Sequence, residues 1–159
     1  MNSWKILVMA LALAGSAIAI ASDSSDPFIG SWTMNLAKSK YSKPSNAPRS
    51  ETRSWEMTPE GMIHLHVEQV AADGTTITEN STYKRDGKTY PLTGLPNNDA
   101  IAVTQVSSHE LRSTQLLKGK VVGHMTSVVS QDGKVLTMTI TITTPAEGEQ
   151  HNVRVYDKQ

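Results

Sequence analysis

The stretch FIGSWTMN at residues 28–35 places a Trp, the largest side chain, two residues after a Gly. A Gly at the start of a strand permits close approach of a neighbouring backbone or side chain. A buried indole removes about 150 to 250 Å² of surface from water. We therefore predict a strand over 29–35, in which Trp32 is a structural core residue rather than a ligand contact.

The positions of other Gly residues predict the order of the strands. Six of them directly follow a charged residue, where Gly can take the positive φ that tight hairpins need: Gly61, Gly74, Gly87, Gly119, Gly133 and Gly148. Two further turn candidates, at 91–99 and 107–110, continue this spacing through the one long gap. Consecutive strands are therefore predicted to be antiparallel neighbours.

Between these turns the side chains alternate as strands require. Residues 136–143 alternate Leu, Met and Ile with Thr, and residues 63–68 alternate Ile, Leu and Val with His and Glu. About ten strands favour closure into a single antiparallel up-and-down β-barrel, because an open sheet would expose two edges. Helix is limited to one turn within 36–42, since Pro44 and Pro48 stop its growth. Less regular strands are predicted at 29–35, 50–57, 75–84, 88–90, 100–106, 109–117, 120–130 and 149–157.

The first residues have the organisation of a secretory signal peptide. Lys5 supplies a positive start, residues 6–20 are mostly apolar, and Ala19 and Ala21 are the small residues of a cleavage site. The apolar run is shorter than the ~20 residues that span a bilayer. We expect cleavage after Ala21, with Ala19 as the competing position. The mature protein is then predicted to begin at Ser22 and to be secreted or periplasmic.

Composition limits the classes of function. The absence of Cys excludes disulfides and thiolate chemistry. Residues 1–21 hold one basic and no acidic residue, so the remainder carries 14 Lys plus Arg against 15 Asp plus Glu, a net charge of about −1. This balance provides no basic patch for nucleic acid or an anionic membrane surface. We expect a monomer with a short solvated tether at 22–27 and one domain at 28–159.

The first and last strands of the predicted barrel resemble those of the calycin superfamily, which includes lipocalins and fatty-acid-binding proteins. These proteins begin with a Gly-x-Trp strand, as at Gly30 and Trp32. Fatty-acid-binding proteins end in an Arg-x-Tyr strand followed by an acid and a base, as at residues 154–158. The segment 86–94 also resembles one in secreted bacterial lipocalin-like proteins. The resemblance implies a ten-strand barrel around a cavity. The sequence departs from the cytosolic fatty-acid-binding proteins at 36–49, which is too short and too rich in Pro to form their helical lid.

The resemblance also implies roles for individual residues. An Arg of the last strand commonly lies across the first Trp, so Gly30, Trp32 and Arg154 are expected to close one end of the barrel. A desolvated cation over an indole contributes about 2 kcal/mol. In fatty-acid-binding proteins an inward Arg and Tyr hold the ligand carboxylate, which makes Arg154 and Tyr156 candidate ligand-binding residues. Buried structural hydrogen bonding is their alternative role. The usual additional polar residue corresponds to Gln115, whose neutral amide weakens the attraction for a carboxylate.

His64 and His66 form the strongest alternative site. They lie about 6.6 Å apart along one strand face, which permits joint metal ligation, but a third ligand would have to be His124 or His151. Because the apolar residues of this strand face the core, we expect the His pair to face solvent and to bind no metal. The sequence contains no nucleophile elbow, zinc-protease motif or phosphate loop. We therefore expect no enzymatic activity and no cofactor.

Two classes of function remain. The first is a secreted or periplasmic binding protein that encloses a small hydrophobic or amphipathic molecule in its barrel. The second is a protein-interaction or inhibitor-type envelope module, in which the barrel is filled and loops such as 90–99 bind the partner. An aromatic content of 5% favours a roomy interior and hence the first class.

Overall fold

The computed structural model describes residues 26–146 and 148–159, so the predicted signal peptide and residues 22–25 lie outside the described residues. The described residues form eleven strands and one short 3-10 helix, Pro44–Asn46. The strands are β1 (Gly30–Met34), β2 (Lys40–Tyr41), β3 (Ser50–Met57), β4 (Ile63–Val70), β5 (Thr76–Tyr83), β6 (Asp86–Thr93), β7 (Ala100–Ser107), β8 (Glu110–Leu117), β9 (Lys120–Val129), β10 (Val135–Thr144) and β11 (Gly148–Lys158).

Within the described residues, ten strands form a closed antiparallel barrel. Each of β3 to β10 pairs with the next strand in the chain, and β1 closes the barrel by pairing with both β3 and β11. The two-residue strand β2 adds to β11, where Tyr41 pairs with Asn152. Strands β1 and β2 therefore lie one after the other along β11. The predicted all-β, calycin-like barrel of about ten strands is confirmed.

The alternation of side chains decides what fills the barrel. On β10, Leu136, Met138 and Ile140 are buried, and the Thr residues between them face outward. On β4, Leu65 and Val67 are buried in the same way. This is the pattern predicted for both strands. The buried apolar residues form one cluster: Phe28, Trp32, Met34, Trp55, Ile63, Leu65, Val67, Tyr83, Leu92, Ile101, Val103, Leu111, Val129, Leu136, Met138, Ile140 and Tyr156.

The six Gly residues predicted to make hairpins all have positive φ, between 71° and 93°. Four of them lie in hairpin turns between strands, as predicted, and Gly148 is the first residue of β11 beside the turn that follows β10. Gly87 instead lies within β6, where the pairing with β7 is irregular between Asp86 and Thr89. A Gly with positive φ also suits a β-bulge. Strand β6 therefore begins at Asp86 and is longer than the predicted 88–90.

The short segment between β1 and β3 contains the helical structure. The expected turn is present at the start of 36–42, where the Ser39 N–H donates to the Asn35 carbonyl over 3.1 Å. The 3-10 helix differs from the expectation that Pro44 only stops helix growth. A Pro at the first position of a helix loses no hydrogen bond, so Pro44 starts this one. No helix in the described part of the chain is long and apolar enough to cross a membrane.

Trp32 lies at the end of the barrel where β11 finishes, and we call this the closed end because the indole is expected to close it. Its side chain is fully buried, and its Nε1 donates a hydrogen bond to the Phe28 carbonyl over 3.0 Å. Lys158 lies directly opposite on β11 and places its Nζ 5.1 Å from the centre of the indole ring. Gly30 has a φ of 120°, and a Cβ there would lie 3.2 Å from Lys158 Cε. Gly30 thus lets the lysine side chain reach the indole.

The expected contact between Arg154 and Trp32 is wrong. Arg154 lies four residues before Lys158, which is about 13 Å along an extended strand. Its guanidinium lies inside the barrel, where it binds Glu51 and stands 5.8 Å from the centre of the Tyr41 ring. The cation that covers the indole at the closed end is therefore Lys158.

Asp26 and Pro27 belong to the closed end and are not a solvated tether, which corrects the predicted boundary. Asp26 forms an ion pair with Arg85, whose side chain is buried. The Pro27 carbonyl accepts a hydrogen bond from Lys158 Nζ over 3.0 Å. The Arg85 guanidinium also stands 5.1 Å from the centre of the Phe28 ring. The chain is therefore fixed to the barrel from residue 26 onward.

Candidate functional site

The barrel encloses a cavity of about 240 Å³, and Trp32 is not among the residues that line it. Just over half of the residues in its wall are apolar, because many inward positions of β4, β7 and β10 carry aliphatic side chains or Met, whereas Ser113, Gln115 and Ser127 are inward polar residues of β8 and β9. The apolar lining consists of Trp55, Leu65, Val67, Ile77, Tyr83, Leu95, Pro96, Ile101, Val103, Leu111, Met125, Met138, Ile140 and Ile142. Such a wall suits the apolar part of a small molecule.

The loop 94–99 between β6 and β7 covers one side of the cavity with four of its residues. At its first residue, Gly94, a Cβ would lie 1.7 Å from the Thr78 carbonyl oxygen, so the loop backbone lies directly against β5. At its last residue, the Asp99 carboxylate accepts two hydrogen bonds from the Lys118 N–H, of 3.0 and 3.1 Å. Both ends of the loop are therefore held in place.

Glu51 of β3 forms the centre of a polar cluster in the cavity wall, and its side chain is fully buried. Its Oε1 accepts hydrogen bonds from Tyr156 OH over 2.7 Å and from Arg53 Nε over 3.1 Å, and it is also paired with Arg53 Nη2. Its Oε2 accepts from Arg154 Nη1 over 2.9 Å. One carboxylate thus binds two guanidinium groups and one phenol.

These contacts decide the ionisation of the cluster. Burial opposes a charge on Glu51, but Arg53 and Arg154 outweigh it and keep the pKa of this carboxyl below its usual value. Burial also opposes the charge on Arg53, while Tyr156 and Glu51 raise its pKa above the usual value. Burial raises the pKa of the Tyr156 phenol, which therefore stays protonated and donates its hydrogen bond. At neutral pH the cluster holds one negative and two positive charges.

Glu79 of β5 is the second carboxyl group that lines the cavity. Burial raises its pKa, and the charge of Arg53 lowers it by less. No hydrogen bond or ion pair joins Glu79 to another residue in the described part of the chain. Glu79 therefore takes up a proton at a higher pH than an ordinary Glu, in contrast to Glu51.

The three predicted ligand-binding residues have different positions. Arg154 and Gln115 line the cavity. Tyr156 is fully buried and contacts Glu51 through its hydroxyl. Arg154 and Tyr156 thus make the buried hydrogen bonds that were their alternative role, and any contact of the three with a ligand stays a prediction.

Three buried atoms on the cavity have no hydrogen-bond partner among the described residues: Arg154 Nε, Asn98 Nδ2 and Gln115 Oε1. The first two are donors and the third is an acceptor. A buried polar atom without a partner costs about 1 to 3 kcal/mol. Side chains that line the cavity therefore retain unused capacity both to donate and to accept hydrogen bonds.

Glu51, Arg53 and Glu79 are site residues that were not predicted from the sequence. A signal for the first two was present, because both share a strand face with Trp55 in the predicted strand 50–57. An inward Trp55 implies that both charged side chains also point into the barrel. Burial of two opposite charges side by side then predicts an ion pair.

The His pair lies on the outer face of β4, as predicted. His64 and His66 bond through their Nδ1 atoms to side chains of β5, over 3.1 and 2.8 Å. His124 and His151, the candidate third ligands, instead lie beside Thr side chains of their neighbouring strands. Among the residues that the structure describes, no group of three or more His, Cys, Asp or Glu side chains could hold a metal ion.

The fold and the site together define a calycin-like β-barrel with an ionised cluster in the wall of its cavity. No protein-family model matches this chain, and no curated protein matches it in sequence. Its structure is similar to that of the zebrafish ileal bile acid-binding protein, solved in complex with cholic acid. The two share 14% sequence identity over 84% of this chain and 99% of that chain, with a TM-score of 0.47.

Proposed function

We propose that this protein is a secreted or periplasmic binding protein that encloses a small amphipathic molecule in its barrel. The observation that carries the proposal is the cavity of about 240 Å³, which combines a wall in which just over half of the residues are apolar with buried polar atoms that have no partner among the described residues. The apolar wall would bind the body of the ligand. The polar atoms would bind and orient its head.

The size of the cavity limits the ligand. Known ligand pockets measure about 300 to 1,000 Å³, so the cavity lies just below their lower end. Each CH₂ group buried in the apolar wall adds roughly 0.8 kcal/mol to binding. We therefore expect ligands of short or medium chain length. The same cavity favours a binding protein over an interaction module, whose barrel would be filled.

Calorimetry with a series of 1-alkanols of increasing chain length tests the proposal. We expect binding below millimolar concentration, with affinity rising about fourfold for each added CH₂ until the cavity is full. Ile142→Trp introduces an indole at a cavity position and should abolish binding. Thr143→Trp, on the outer face of the same strand, is the matched control and should bind as the wild type does. Absence of alkanol binding, or equal loss in both variants, would contradict the proposal.

Export is the second part of the proposal and rests on the sequence of residues 1–21. We expect the exported protein to begin at Ser22, because Ala19 and Ala21 are small residues at the positions that signal peptidase recognises. N-terminal sequencing of protein recovered from outside the cytoplasm checks this. Retention of Met1 on the exported protein would overturn it.

A further inference from the structure

Glu51 occupies the strongest anion-binding position inside the barrel. Arg53, Arg154 and Tyr156 all direct donor groups at its two carboxylate oxygens. Guanidinium groups and a phenol around one carboxylate form the kind of site in which proteins bind acids tightly. Here the acid belongs to the chain itself, and its side chain is fully buried.

We propose that Glu51 takes the place of a ligand carboxylate, so that the cavity binds a neutral molecule whose polar end is a hydroxyl or a carboxamide, in preference to a fatty acid. This inference rests on the proposed function, because it assigns the class of ligand to the same cavity. It also replaces the expectation that Arg154 and Tyr156 hold a ligand carboxylate.

The donor groups that could hold a ligand carboxylate are already occupied by Glu51. Arg53 and Arg154 are the cationic residues in the described cavity lining, and both are engaged by Glu51. The contacts of Glu51 keep its pKa below the usual value, so its negative charge persists at neutral pH. Glu79 also lines the cavity, but no hydrogen bond or ion pair in the described residues joins it to either guanidinium group. The cluster itself carries one more positive than negative charge. What excludes a second carboxylate is therefore the occupation of the donor groups by Glu51, and not repulsion.

The unpaired atoms of the cavity favour a neutral head independently of charge. Arg154 Nε and Asn98 Nδ2 can only donate a hydrogen bond, whereas Gln115 Oε1 can only accept one. A hydroxyl or a carboxamide both donates and accepts, and can therefore pair with atoms of either kind. A carboxylate only accepts, so it would leave Gln115 Oε1 without a donor.

The test compares 1-decanol, decanamide and decanoate, which carry different heads on chains of equal length. Calorimetry at neutral pH is run with the wild type, Glu51→Gln and, as a matched control, Glu79→Gln. We expect the wild type to bind the two neutral ligands at least about tenfold more tightly than decanoate. Glu51→Gln frees the guanidinium groups, and its affinity for decanoate should rise at least about tenfold. Glu79→Gln should keep the wild-type preference for neutral heads.

Each outcome discriminates between the inference and the proposed function. Wild-type binding of decanoate as tight as that of decanol would overturn the inference and leave the proposed function intact. An equal gain for decanoate in Glu79→Gln would also overturn it, because loss of any negative charge would then suffice. If the wild type binds none of the three ligands but Glu51→Gln binds decanoate, the proposed function is refuted, while the role of Glu51 as the internal occupant of the anion site is supported. If Glu51→Gln does not fold, the wild-type preference decides by itself.

Discussion

Replacement of Trp32 by Ala tests whether the indole closes the barrel. The side chain is fully buried, and its Nε1 donates to the Phe28 carbonyl over 3.0 Å. Deletion of a buried Trp or Phe side chain costs about 3 to 5 kcal/mol, and loss of the donor leaves a buried carbonyl unpaired. We expect the free energy of unfolding to fall by about 3 to 5 kcal/mol. Urea denaturation followed by circular dichroism measures it.

A double-mutant cycle with Lys158→Met isolates the contact between the lysine and the indole. The Nζ lies 5.1 Å from the ring centre, and a cation–π pair contributes about 0.5 to 2 kcal/mol according to its exposure. The cycle should therefore show a coupling energy in this range. Lys158→Met also removes the hydrogen bond to Pro27, but that loss occurs on both sides of the cycle and cancels. Lys120→Met, at an exposed position on β9, is the control and should show no coupling.

Two results would refute this account of the closed end. A loss below about 1 kcal/mol for Trp32→Ala would show that the indole contributes little to packing, since buried aromatic residues cost several times more. A coupling energy of zero between Trp32 and Lys158 would show that the lysine does not stabilise the ring. In that case Lys158 would act only through its hydrogen bond to the Pro27 carbonyl.

Two further predictions concern the cavity and its loop. Gly94→Ala should lower the free energy of unfolding by clearly more than the roughly 1 to 2 kcal/mol of a positive φ alone, because a Cβ there would lie 1.7 Å from the Thr78 oxygen. The control Gly119→Ala, where a Cβ would have no atom within 4 Å, should lose only that amount in urea denaturation. Equal losses in the two variants would contradict the close packing of the loop. Burial raises the pKa of Glu79 above its usual value of 4.5, so the wild type loses stability as pH rises from 4.5 through the folded pKa. Glu79→Gln should therefore be the more stable protein at neutral pH, with the gain vanishing below pH 4.5; a difference independent of pH in thermal denaturation would refute this.

The barrel could be predicted from the sequence because its signals are local. A Gly after a charged residue specifies a turn, and the Thr alternation in 136–143 specifies which face of a strand is buried. Elements without such a pattern were missed or misjudged. Strand β2 has two residues and no periodicity, and Gly87 has the conformation of a turn but lies in a bulge of β6.

The candidate site was predicted less completely because it depends on register between strands that are distant in sequence. Alternation along β11 correctly places Arg154 and Tyr156 inside the barrel. Alternation does not say that Lys158, rather than Arg154, pairs with Trp32, since that follows from the register of β1 against β11. The partner of Arg154 is likewise Glu51, more than a hundred residues away in the chain.

The pairing of β1 with β11 also determines on which side of the barrel a tag or a support can be attached. Trp32 pairs with Lys158, and the Gln159 N–H donates to the Ser31 carbonyl over 3.0 Å. The start of β1 and the end of β11 therefore lie side by side at the closed end. Strand β6 starts beside this end and carries the loop 94–99 away from it. An affinity tag or a solid support attached at Asp26 or Gln159 would therefore lie on the far side of the molecule from that loop. Protein immobilised through either residue would keep the loop side of its cavity facing the solution.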